Sequence, residues 1–203
     1  MLQDFSQKLK FCTLCNGLVR SPDVWLSPHA ESERYKLHQN SELNAGYRRF
    51  LRVLLDAAKP FVVQIPQEPL RALDFGCGPT PLIHQDFEQA RWEAYDPLFF
   101  PVSPKGTYGL IYASECLEHF RFPYQEFQYL NSLLCKGGLF AVSTEQPPTL
   151  DPELLKKWHY LSDPTHIFFY TSKTWEWIAH HWNWTLLYTD HKRIWILKKN
   201  EYV

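Results

Sequence analysis

The period of the apolar residues changes several times along the chain, and the changes divide it into alternating strands and helices. At 71–75, Ala72, Leu73 and Phe75 form a short apolar run that suits a strand buried in a parallel sheet. Gly76 and Gly78 follow at once, where a backbone turns tightly and a ligand can approach without meeting a Cβ. Thr80 is placed as the N-cap and Pro81 as the first residue of a helix, so free backbone N–H groups are expected to point into the turn. The runs 91–95, 108–113 and 139–143 read as further strands. Over 44–58, Tyr47, Phe50, Leu51, Leu54, Leu55 and Ala58 share one helical face and Arg48, Arg49, Arg52 and Asp56 the other, with Pro60 as the stop. A helix over 123–134 carries Tyr124, Phe127, Leu130 and Leu134, and Lys136-Gly137-Gly138 should end it. Thr171 or Ser172 caps another, striped by Trp175, Ile178, Ala179 and Trp182, and 184–188 with 193–198 reads as a terminal hairpin.

Strands alternating with helices predict an α/β protein with a mostly parallel sheet and an antiparallel C-terminal hairpin. Ahead of it, Ser27 and Pro28 open a short helix expected to reach His38, and Pro60, Pro66 and Pro69 mark a linker. The expected division is a Cys knuckle over 1–26, a helical cap over 27–69, and the sheet domain over 70–203. Within the last, 146–170 has little periodicity, and loops of that length in compact domains usually carry function.

At 203 residues the chain can bury a full core, and its formal net charge of −1 provides no basic footprint for bulk nucleic acid. No run approaches the roughly 18 apolar residues of a membrane span, and the N-terminus lacks a signal-peptide block, so a soluble, cytoplasmic protein is expected. Aromatic residues make up 16% of the chain, and the cluster of rings between Trp158 and Trp195 reads first as core. The five cysteines look like reduced thiols. Cys12 and Cys15 could present two thiolates to zinc, but structural zinc takes four ligands. Only His29 and His38 stand nearby, so no metal is expected.

The glycine turn fails the dinucleotide fingerprint G-x-G-x-x-G, because Pro81 occupies the third glycine. Asp74, Gly76 and Gly78 behind an apolar strand instead resemble motif I of class I S-adenosylmethionine-dependent methyltransferases, with Thr80 where a third glycine often stands. The resemblance covers roughly 27–198 and implies a Rossmann-like methyltransferase sheet with S-adenosylmethionine as cofactor. It places Gly76, Cys77 and Gly78 against the amino-acid portion of the cofactor, with Asp74 helping to hold the ammonium. Asp96, 18 residues beyond Gly78 and followed by Pro97, suits the ribose hydroxyls. Ser114 and Glu115 would lie beside the cofactor. Only 98–107 separates Asp96 from the next strand, too little for the helix and outer third strand usual in this class, so that strand should be missing and the adenine would rest against Leu98, Phe99 and Phe100. The Cys12–Cys15 knuckle resembles half of a zinc ribbon that precedes the methyltransferase domain in many relatives.

Around Glu118-His119, the resemblance to small-molecule methyltransferases puts His119 near the mouth of the acceptor pocket; the other reading is a structural pair closing the loop. His119, His159 and His166 are candidate general bases, with His166 and His119 preferred. Tyr35, Tyr47, His159 and Tyr170 are candidates for the acceptor wall, although Tyr35 and Tyr47 could simply pack. The expected reaction is methyl transfer to a small-molecule acceptor by in-line displacement. The alternative is a protein of the same fold that binds S-adenosylmethionine or S-adenosylhomocysteine without turnover. The charge disfavours nucleic acid, and the sequence leaves the oligomeric state open.

Overall fold

The computed structural model describes all residues except 7, 36–44, 67 and 202–203. His38 and Asn44, at the ends of two expected helices, lie outside the described residues.

The chain begins with an antiparallel meander of β1 (Leu2–Ser6), β2 (Leu9–Cys12) and β3 (Leu18–Arg20). Two helices follow, α1 (Pro28–Tyr35) and α2 (Ala45–Val62). The main sheet is built from β4 (Arg71–Phe75), β5 (Arg91–Tyr95), β6 (Tyr108–Ser114), β7 (Leu134–Ser143), β9 (Trp184–Thr189) and β10 (Ile194–Lys199). Between these run α3 (Pro123–Leu133), α4 (Pro152–Leu155), the two-residue β8 (Phe168–Phe169) and α5 (Ser172–His181). The strand order is β5-β4-β6-β7-β10-β9, with β5, β4, β6 and β7 parallel and β10 antiparallel to both its neighbours.

Alternate residues of each strand feed two cores, as the period of two requires. Ala72, Leu110, Tyr112, Leu139, Ala141 and Ile196 pack against Leu51, Leu54, Leu55 and Ala58 of α2. On the other face Leu73, Ile111, Phe140, Val142, Trp195 and Leu197 meet Phe127 and Leu130 of α3 and Trp175 and Ile178 of α5. The aromatic enrichment is largely this second core: Trp175 stacks on Trp195 and on Tyr170, each at 5.2 Å between centroids. Thr171 caps α5 through a reciprocal pair with Thr174.

Among the described residues no strand lies outside β5; the segment after it makes only the Asp96–Phe100 bridge, so no outer third strand stands there, as expected. Three local expectations are corrected. Thr80 and Pro81 do not open an α-helix; a single 3-10 turn, Ile83–Asp86, stands there with Leu82 as its N-cap. Pro79 and Pro81 remove backbone donors, and α2 covers the apolar face by packing on Leu82, Ile83 and Phe87. Arg48 and Arg52 of α2 also bond Asp86 rather than standing as a purely solvated face. Second, α2 runs through Pro60 to Val62, since a proline one turn from an exposed end forfeits little. Third, α3 ends at Leu133 before the glycines, and Gly137 and Gly138 lie inside β7. There Gly137 (φ +75°) accommodates a bulge, in which the β6–β7 register jumps from Tyr108–Leu134 to Leu110–Leu139.

The N-terminal meander is joined to the long 146–170 segment. β3 pairs with β8, and Leu9 and Leu18 share a small core with Leu155, Tyr160 and Phe169. Phe168 sits so close over Gly17 that a Cβ there would lie 2.3 Å from its ring. The Arg20 guanidinium, itself mostly buried, donates to the carbonyls of His166 (2.7 Å), Leu161 (2.9 Å) and Asp163 (3.0 Å). Cys12 ends β2 and Cys15 lies in the turn before β3, where burial pushes its thiol up to about 12.

Candidate active site

A cavity of about 820 Å³ opens at the carboxyl ends of β4, β5 and β6, where open α/β sheets bind their ligands. One end is walled by Gly76, Cys77, Gly78 and Pro79, by Tyr95 to Phe99, and by Tyr47 and Phe50 of α2. The other is walled by Glu118 to Phe122, by Glu31, Arg34 and Tyr35 of α1, and by His159, Tyr160, Asp163 and His166 from the long segment. Ser114, Glu115 and Cys116 also line it.

The glycine turn is held from within. Gly76 and Cys77 both donate to the Tyr95 carbonyl, at 2.8 and 3.2 Å, and Gly78 donates to Asp96 Oδ2 at 3.0 Å. Gly76 adopts φ +72°, and a Cβ there would come within 2.4 Å of the Cys116 Cβ. The expected cradle of free N–H groups is therefore not built, because the N–H groups of 76–78 have protein acceptors and no helix begins behind them. Asp96 is the hub of this end, with Oδ1 accepting from Leu98 (2.9 Å) and Phe99 (3.2 Å). Asp74 lies beneath the turn and lines a smaller cleft beside Trp92 rather than the main cavity. Burial, with the nearby Asp96 charge, pushes its pKa up to about 7.

Past β6 the chain takes a left-handed residue at Glu115 (φ +50°), whose N–H donates to Ser143 O and whose carboxyl accepts from Ser143 Oγ at 2.9 Å. Burial and the Glu118 charge raise Glu115 to about 8. Glu118 is fully buried in the following 3-10 turn, and burial raises it to about 7 against the pull of the nearby Tyr160 and Thr144 hydroxyls. His119 Nδ1 lies 2.9 Å from Thr165 O and His166 Nδ1 lies 2.7 Å from Tyr160 O; the two rings meet edge to face at 5.0 Å. Burial lowers the pKa of both, in His166 to about 3.

Ion pairs fasten α1 over this end. Arg34 makes a two-pronged contact with Asp163, at 3.0 and 2.9 Å, and Arg121 bonds Glu31 at 2.7 Å. Burial works to raise Asp163, but the Arg34 and Thr165 hydrogen bonds outweigh it and hold it well below the usual carboxylate range. The lining thus carries six carboxylates, Glu31, Asp96, Glu115, Glu118, Glu126 and Asp163, against Arg34 and Arg121, both already paired.

Comparison with known proteins settles the family. A model of a methyltransferase-domain family matches residues 47–189. This chain belongs to that methyltransferase family. None of the curated proteins matches it. Among solved structures, the methyltransferase is similar to the plantazolicin methyltransferase BpumL, solved with a monoazolic desmethylPZN analog and SAH: 14% identity, TM-score 0.54, 88% of this chain and 91% of that one. A candidate methyltransferase from Bacillus halodurans matches at 11% identity and TM-score 0.54, over 74% of this chain and 98% of that one. These likenesses show the fold, the Rossmann-like fold of S-adenosylmethionine-dependent methyltransferases. No helix among the described residues is long and apolar enough to cross a membrane.

Gly76, Cys77, Gly78, Asp96, Pro97, Ser114, Glu115, Tyr35, Tyr47, His119 and His166 of the methyltransferase all line the one cavity. His159 stands at its rim, with a 77% exposed side chain 3.6 Å from Glu145. Leu98 and Phe99 line it, whereas Phe100 does not. Tyr170 is corrected: it is fully buried, stacked on Trp175, and donates its hydroxyl to Leu117 O at 3.1 Å, so it supports the wall from behind. Sequence reasoning missed Glu31, Arg34, Arg121 and Arg20, whose partners lie 90 to 146 residues away and leave no local signal. It also valued Glu118 only as a structural partner of His119, because a Glu in a loop gives no sign of its burial.

Proposed function

We propose that the chain transfers a methyl group from S-adenosylmethionine to a small-molecule acceptor seated against Glu118, His119 and His166. The observation that carries this reading is the single acidic cavity joining the Gly76–Asp96 end to that cluster. Its donor chemistry suits the cofactor: no free N–H cradle awaits a phosphate, while carboxylates and aromatic faces suit a cation. The cofactor supplies a methyl group already activated on a sulfonium, so the protein's work is alignment and exclusion of water.

Gly76, Cys77 and Gly78 would face the amino-acid portion. Asp96 already accepts three backbone N–H groups, which leaves about one of its four acceptor positions for a ribose hydroxyl. Glu115, held near neutrality by burial, would ionise beside the positive charge. Asp74, under the turn, would act on the ammonium only through the turn it supports. Tyr35 and Tyr47 close the cavity from the two helices.

At the acceptor end, a carbonyl can only accept, so each histidine places its proton on Nδ1 and leaves Nε2 bare to receive a hydrogen bond from the acceptor. A base with a pKa near 3 is poorly matched to neutral pH, so His166 orients the acceptor, and the proton of a hydroxyl or amine passes to the cluster as a whole.

Calorimetric titration with S-adenosylhomocysteine, with NAD as control, tests the cofactor. Micromolar binding of the first alone is expected, and a folded sample that binds neither would sink the reading. His166→Ala should slow turnover with little change in cofactor affinity; unchanged turnover would remove His166 from the acceptor site. Cofactor binding with no turnover across acceptor classes would favour the non-catalytic alternative.

A further inference from the structure

We infer that Glu118, His119 and His166 form a binding site for one divalent first-row transition-metal ion at the acceptor end of the cavity. Glu118 is fully buried and, although the Tyr160 and Thr144 hydroxyls lie near it, neither carboxylate oxygen has a partner in hydrogen-bonding geometry among the described residues. The nearest ring nitrogen paired with it, His119 Nε2, stands 3.9 Å away. A buried carboxylate left in that state costs stability unless something positive reaches it.

The two histidines are arranged to ligate. Each fixes its Nδ1 proton on a backbone carbonyl, Thr165 O for His119 and Tyr160 O for His166, and this leaves both Nε2 lone pairs available. Such a bond from the outer ring nitrogen to a carbonyl is the usual support of a metal-bound imidazole. One ligand atom from each of the three residues lies within 4.8 Å of the others. Ligation at about 2.0–2.2 Å needs these atoms about 3–3.5 Å apart, so an ion entering the cluster would draw the three side chains closer together. Two imidazoles and one carboxylate suit iron, cobalt, nickel or zinc in the divalent state and leave coordination positions open. All three residues line the cavity, so those positions face the space assigned to the acceptor, where with the ion bound a hydroxyl or carboxylate oxygen would complete the sphere in place of the direct hydrogen bonds to the Nε2 atoms. The metal site stands on this geometry alone; its role in holding the acceptor rests on the methyltransferase reading.

The test is a titration of chelator-treated full-length protein with Co²⁺ and with Zn²⁺, followed by calorimetry and, for cobalt, by visible absorption. One equivalent per chain is expected, with affinity reduced at least about tenfold in Glu118→Gln and in His166→Asn and unchanged in Cys12→Ser/Cys15→Ser. Melting curves establish that each variant is folded, and His119→Asn replaces either variant that is not. Absence of uptake by the folded wild type, uptake unchanged in the cluster variants, or uptake abolished in the cysteine variant would each overturn the site. Titration of the same samples with S-adenosylhomocysteine reads the methyltransferase assignment separately, so failure of the metal and failure of the cofactor are distinguishable.

Discussion

At the glycine-turn end of the cavity the backbone N–H groups of residues 76–78 already have acceptors, whereas at the far end Glu118 is buried with no hydrogen-bond partner for its carboxylate among the described residues. The first end is built from the tips of adjacent strands and the short loops that follow them. The second is assembled from α1, the turn after β6 and the segment 159–166, fastened by Arg20, Arg34 and Arg121. A site that satisfies itself is preorganised and binds with little rearrangement. One that buries an acid without a hydrogen-bond donor, so that burial favours its protonated form, is less stable empty than filled by a cation. The cavity thus pairs a standing frame for a common ligand with a part that depends on what enters it.

The strongest way to break that contrast is to unfasten the second end alone. Arg20→Ala leaves three carbonyls of the 161–166 segment without their donor, and should cost about 3 kcal/mol of stability in urea unfolding. S-adenosylhomocysteine affinity should change little in the folded fraction while turnover is lost. Equal damage to both would show that the two ends are not separable.

The reciprocal change is Asp96→Ala, which removes the hub of the first end. Cofactor affinity should fall by about 1–3 kcal/mol in calorimetry, the fold persisting. Unchanged affinity in a folded variant would remove Asp96 from the cofactor site.

pH sharpens the same contrast through the buried acids. Asp74, Glu115 and Glu118 are raised to about 7, 8 and 7, so the folded chain retains protons that the unfolded chain has lost. Their contribution to stability is present at low pH and disappears as pH rises through those values. His119 and His166, lowered by burial, act in the opposite direction, but only below their ordinary value of 6.5. Between about pH 6.5 and 8 the acids act alone, so the melting temperature of the ligand-free protein should fall across that window. A flat or rising profile would contradict the burial of these carboxyls. The smallest effect is expected from Tyr170→Phe, which loses one hydrogen bond to Leu117 O. About 1 kcal/mol of stability should go, with no change in the KM for the acceptor; a raised KM would return Tyr170 to the acceptor wall.

Much of the fold is legible locally. The strand runs at 71–75, 91–95 and 108–113, the stripe of α2 and the Thr171 cap lie where the pattern put them, because these are decided by residues within one or two turns. Asp96 and the two glycines could be read for the same reason. The errors fall where a neighbour distant in sequence replaces a local rule. α2 takes over the surface that a helix at Thr80 would have covered, and the 137–138 glycines serve a strand bulge set by pairing with β6.

By itself, then, the sequence determined the α/β class and the glycine turn, which depend on short-range periodicity and spacing, and its motifs carried the family resemblance, which implied the missing outer strand. Only the tertiary structure decided that Tyr170 is core, that Arg20 ties the N-terminal meander to the 161–166 segment of the cavity wall, and that Glu118, among the described residues, lies close to two histidines without a hydrogen bond. Burial, and the electrostatics that follow from it, are properties of segments brought together across 40 to 150 residues, and no local pattern encodes them.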